Sequence, residues 1–154
     1  MSAETDKQFE IQKIYLKDVS FESPVSPKVF TEKWNPQTDI HIQSKTSKLD
    51  EHLFEVSITV QVTATQDENT AFLVEVTQAG IFLIKNFEQD QHNQLLGSHC
   101  PNTLFPFARE SVAELIAKGG FPQLLLNPVN FEALYQQHLK AQKEQKSHPD
   151  QTKH

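Results

Sequence analysis

The sequence predicts an α+β fold: an antiparallel four-stranded sheet with helices packed on one face. Three observations carry this. Residues 54–64 alternate strictly, with Phe54, Val56, Ile58, Val60, Val62 and Ala64 on one side and Glu55, Ser57, Thr59, Gln61 and Thr63 on the other. A period of two marks a long antiparallel strand with one wet face. Apolar residues then recur at helical spacing within 105–116 and again within 131–139. Strands come first and helices follow, the order of an α+β chain.

The elements follow in order. Residues 1–8 are polar and expected to be flexible. Phe9 to Phe21 reads as a strand, rich in β-branched and aromatic residues. Pro24, Pro27 and Pro36 bracket an irregular segment holding Val25, Val29, Phe30 and Trp34. Proline has no N–H for a ladder, so this segment is an ordered loop or an edge. A short strand spans Asp39–Gln43, and Ser44–Asp50 reads as a polar turn. The long strand Leu53–Thr65 reverses at Gln66-Asp67-Glu68-Asn69 and returns as Thr70–Ile84. Gly80 in that return strand signals a bulge or a close backbone approach.

A helix over Glu88–Leu96 is expected to end at Gly97. Phe105, Ala108, Val112, Leu115 and Ile116 share one helical face, with Pro106 suited to a first turn and Gly119 to a C-cap. Glu114 and Lys118 are spaced for an i,i+4 pair. Asn130 is a good N-cap, with Val129 and Leu134 placed as a staple. Phe131, Leu134, Tyr135, His138 and Leu139 make one stripe. Nothing apolar remains after Gln142, so 142–154 is expected to be a disordered tail and 9–141 the folded domain.

Composition bounds the function. A chain of 154 residues is one domain's worth, and 37% hydrophobic with 22% charged residues is too apolar for disorder. Residues 140–154 carry four Lys against Glu144 and Asp150, a net of +2. Against the whole-chain −6, residues 1–139 therefore carry −8. An acidic chain with one Arg is a poor nucleic-acid binder. No window is long and apolar enough to insert in a membrane, and Met1–Gln8 lacks an apolar signal region. One Cys excludes an internal disulfide and points to a reducing compartment.

The residues show no catalytic site and no metal site. His99 and Cys100 are adjacent, and adjacent side chains do not face each other as base and nucleophile, so Cys100 reads as a buried thiol. The seven His lack the spacing that brings two ligands to one metal. No glycine-rich phosphate loop or nucleophile elbow occurs, and no cofactor is expected. Two features stand out. Phe30 and Trp34 in the proline segment either cap the sheet's core or line an aromatic groove for apolar peptide. The Thr-rich face of Leu53–Thr65 either meets solvent or another subunit.

At this point the residues carry a family likeness. Tyr15, Lys17-Asp18, Ser20-Phe21-Glu22, Pro24 and Trp34 begin the match. It continues through Thr70-Ala71-Phe72-Leu73, Glu75-Val76, Gln78 and Gly80-Ile81-Phe82. Cys100-Pro101-Asn102, Leu104-Phe105-Pro106, Phe121-Pro122-Gln123-Leu124 and Pro128-Val129-Asn130-Phe131 complete it. Over roughly 9–140 the chain resembles SecB, the bacterial protein-export chaperone family. The resemblance implies a cytoplasmic homotetramer, a dimer of dimers, that holds unfolded secretory precursors without nucleotide and passes them to the SecA translocation motor. It implies that Asp18, Glu22, Leu73 and Glu75 meet the zinc-bearing C-terminal segment of SecA, the zinc being the partner's. It implies an oligomer contact at Val74, Val76 and Gln78, and a client groove at Phe30, Trp34, Ile40, Ile42, Phe121 and Phe131. The Lys- and His-containing tail departs from the acidic tails common in the family. The same scaffold also suits a toxin–antitoxin chaperone or an oligomeric ligand-binding module.

Overall fold

The computed structural model describes residues 6–147. Four long strands form one antiparallel sheet: β1 (Gln8–Glu22), β2 (Gln37–Asp50), β3 (Leu53–Gln66) and β4 (Asn69–Lys85). Their order is β1-β4-β3-β2, so β3 and β4 are central and β1 and β2 are edges. Helices α1 (Gln89–Gln94), α2 (Cys100–Lys118) and α3 (Phe131–Ser147) follow. The predicted order of strands and then helices holds.

The alternation in β3 decides the layering. Phe54, Val56, Ile58, Val60 and Val62 pair in register with Phe82, Gly80, Gln78, Val76 and Val74 of β4. That shared face is buried, and α2 packs on it through Leu104, Ala108, Val112 and Ile116. The odd-numbered residues of both strands lie on the other face, which no described helix covers. The β3–β4 reversal places Asp67 and Glu68 at φ 51° and 66°, the left-handed pair of a two-residue hairpin. Gly80 is a close approach: an added Cβ would lie 2.9 Å from the Phe82 ring and 3.1 Å from the Lys13 carbonyl.

Several boundaries differ from expectation for physical reasons. Ser44–Asp50 is strand, not turn, since its partner from Leu53 to Ile58 offers a full row of ladder groups. Gly97 does not end a helix. The chain passes through a wide π turn at Leu95–His99 and straight into α2, which starts at Cys100 rather than near Phe105. Pro106 therefore lies inside α2, on its exposed side. α3 continues to Ser147, beyond the expected end of order near Gln142. Its last turns are Gln, Lys, Ala and Glu, strong helix formers that need no burial. The caps hold: Asn130 Oδ1 accepts the Ala133 N–H at 2.9 Å, and Gly119 N–H donates to Leu115 O at 2.8 Å. Glu114 and Lys118 pair at 3.4 Å.

Candidate functional site: an open apolar groove and an acidic outer face

α2 sits over β3 and β4 and leaves the helix side of edge strand β2 uncovered. Ile40 and Ile42, in register with Val62 and Val60, lie on that open ledge. Ile40 is 45% exposed although it extends the core face of the sheet. At one end of the ledge stands the proline segment. Val29 is its buried anchor, held in a short 3-10 turn over Lys28–Thr31. Phe121, from the connector after α2, is the hub of an aromatic cluster. Its ring lies 5.0 Å from Phe30, 5.1 Å from Trp34 and 4.9 Å from Phe72. Phe121 is buried, Trp34 is half-buried and Phe30 is 49% exposed. The segment thus both caps the core and shows an aromatic wall to solvent.

At the other end, α3 rises from the π turn. An added Cβ on Gly97 would sit 2.4 Å from the Tyr135 ring, so this glycine sets how closely α3 approaches. Between them and β2 lies a cavity of about 500 Å³, lined by Ile42, Leu96, Phe131, Leu134 and Tyr135 among others. Phe131 is buried there against Phe105, with ring centres 5.7 Å apart. It also forms a wall of a second cavity of about 640 Å³, whose lining is rich in amides: Gln91, Gln94, Asn102 and Asn130. The six expected groove residues therefore fall in two clusters, Phe30–Trp34–Phe121 and Ile42–Phe131, with Ile40 on the ledge between them.

On the helix-free face, β1 and β4 align Asp18 with Thr77, Ser20 with Glu75 and Glu22 with Leu73. Asp18, Glu22, Leu73 and Glu75 thus share one face, and the three acids form no ion pair among the described residues. Beside them is a network that sequence reasoning missed. Glu55 accepts hydrogen bonds from the Tyr15 hydroxyl and from Lys17 Nζ, the latter at 2.9 and 3.1 Å. The Tyr15 bond, then Lys17, hold the Glu55 carboxyl below its usual range. Burial, helped by Glu55, pushes Tyr15 up to about 12. The partners are 40 and 38 positions apart, so only the strand register reveals them.

The three residues expected at an oligomer contact are buried within the chain. Val74 and Val76 have no exposed surface, and Gln78 is buried with its amide donating to Tyr15 O at 3.0 Å. All three face α2, inside the chain's own core. Cys100 is also buried, which pushes its thiol up to about 12 and leaves no thiolate for chemistry at neutral pH. No described helix is long and apolar enough to cross a membrane.

Together these features define an α+β scaffold with one sheet face roofed by helices, a flanking apolar groove left open, and a charged face behind. Residues 2–142 match the family model described as preprotein translocase subunit SecB. Protein-export protein SecB of Methylococcus capsulatus is 54% identical over 140 residues, covering 91% of this chain and 90% of the relative. The protein of the same description from Alkalilimnicola ehrlichii is 58% identical over 133 residues, 86% of this chain and 71% of the relative. A SecB-like chaperone of Mycobacterium tuberculosis, solved with a ChAD peptide from an antitoxin, shares the fold. Its TM-score is 0.63 at 16% identity over 79% of this chain and 87% of that one. The chain belongs to the SecB family of protein-export chaperones.

Proposed function

We propose that the protein acts in the cytoplasm, holding unfolded precursor proteins without nucleotide and delivering them to the SecA motor. One observation supports the holding role above others: the sheet's core face runs out from under α2 onto an apolar ledge. Ile40 on the ledge and Phe30 at its proline end are each more than 40% exposed, as is Leu134, which lines the cavity of about 500 Å³ at the α3 end. A contiguous exposed apolar patch beside a groove is a binding surface for apolar segments. Burial is non-directional, so such a groove takes clients with little sequence preference. Clients lie against Phe30, Trp34, Ile40 and Ile42, with Phe121 and Phe131 backing the two ends.

The outer face supports the SecA role. Glu22 pairs with the half-buried Leu73, and Glu75 and Asp18 follow along the same face of the sheet, a fit for a basic, metal-bearing segment with an apolar contact. Assembly as a homotetramer has its own support. Ile11, Leu16 and Val19 of edge strand β1 are exposed, as is Phe107 on α2, and a dimer of dimers covers such surfaces. The Asp18→Lys, Glu22→Lys, Glu75→Lys triple variant tests the outer face. Titration with SecA is expected to show a large loss of affinity, with the affinity for an unfolded precursor kept. Unchanged SecA affinity overturns the role of the three acids.

A further inference from the structure

Gln66 closes β3 and is buried beneath the proline segment. Its Oε1 accepts the backbone N–H of Asn35 at 2.6 Å. Its Nε2 is buried with no partner among the described residues. Asn35 directly follows Trp34, whose ring lies 6.3 Å from Phe72 and 5.1 Å from Phe121. The other hydrogen bonds of residues 23–36 run inside the segment, between 23 and 32. Among the described residues, Asn35 to Gln66 is therefore the one hydrogen bond that ties this segment to the sheet.

We propose that Gln66 is the positioning residue for the aromatic wall of the client groove, fixing Trp34 against Phe72 and Phe121 before a client arrives. The proposal rests on the reading of Phe30 and Trp34 as a client wall. A wall already in place spares binding the cost of ordering it. The unpaired Nε2 makes this role separable from plain stability. A buried amide donor without an acceptor is a net cost, and an apolar side chain of similar size removes it. Gln66→Leu thus relieves the core and at the same time releases the wall.

Trp34 is the only tryptophan in the chain, so its emission reports the wall alone. Gln66→Leu is compared with the parent, along with Gln66→Asn, which keeps an amide but shortens its reach. The measurements are urea midpoint, Trp34 emission, acrylamide quenching and affinity for one reduced, unfolded precursor. In Gln66→Leu the midpoint is expected to hold or rise, the emission to move red and the quenching to increase. Client affinity falls roughly two- to tenfold, the size of one hydrogen bond. Should Gln66→Leu fold poorly, Gln66→Asn is expected to show the same emission and affinity changes. Parent-like emission and affinity overturn the proposal, as does an affinity loss that only tracks a lowered midpoint. Trp34→Ala separates the two levels. If it leaves client affinity intact, the wall reading fails and takes Gln66 with it. If it weakens binding while Gln66→Leu does not, the wall stands and the role of Gln66 falls.

Discussion

Glu55 shows how one residue joins the strand register to the charge of a face. Its carboxyl is held low by the Tyr15 hydroxyl and then by Lys17, against a partial burial that pushes the other way. A group depressed below its ordinary 4.5 contributes stability that is present above that value and lost as pH falls through the folded one. Tyr15 has the opposite sign. Raised from 10.0 to about 12, it contributes stability below pH 10 that is lost as pH rises toward 12. Urea midpoints across pH are therefore expected to fall at both ends. In Glu55→Gln the acid-side fall is shallower, because the titrating carboxyl is gone. An acid limb identical to the parent's would show that Glu55 carries no linkage. Phe121 is the second single residue with a sharp expectation. It touches Phe30, Trp34 and Phe72 at about 5 Å each. Phe121→Ala is expected to cost about 3–5 kcal/mol in chemical denaturation and to loosen the wall with it.

At the scale of elements, β3 was legible throughout and β2 only over Asp39–Gln43, for one physical reason. β3 is central and buried on one face, so selection of side chains by burial writes a period of two into residues 54–64. β2 is an edge on which no helix packs directly, α3 standing across a cavity from it, so Ser44–Asp50 carries no apolar alternation and takes its form from the ladder of β3. The same parity rule bears on Val74, Val76 and Gln78. They share parity with Phe72 and Phe82, the core side, and this places them under α2. The π turn left no local trace, because Gly97 there serves the approach of Tyr135 instead of a helix end. Of the expected groove residues, Phe30 and Trp34 were legible as aromatics in a proline segment, and Ile40, Ile42, Phe121 and Phe131 came only with the family resemblance. Their division into two clusters joined by a ledge depends on where α2 lies. α3 docks chiefly on the π turn, and among its residues whose burial is described only Phe131 is fully buried. Gly97→Ala is therefore expected to raise hydrogen exchange across 131–145 while the global midpoint barely moves. A large global destabilisation would show that α3 is integral to the core.

For the whole molecule, the proposed function divides the work between the two faces of one sheet, one for client and one for partner. The acids at Asp18, Glu22 and Glu75 lie on a surface of a chain segment with net charge −8, so long-range attraction adds to contact. The association rate with SecA is expected to fall as salt rises from low to physiological strength, where the screening length is about 8 Å. Client binding, driven by burial, is expected to stay nearly level over the same range. The central claim is that the ledge between the proline segment and α3 holds unfolded chains. It is tested most directly by refolding a reduced secretory precursor with an equal amount of this protein and no nucleotide. The parent is expected to slow refolding markedly, and the Phe30→Ser, Ile40→Asp variant to restore most of the free rate while keeping its own fold. A parent that leaves the refolding rate unchanged, or a variant that holds the precursor equally well, would contradict it.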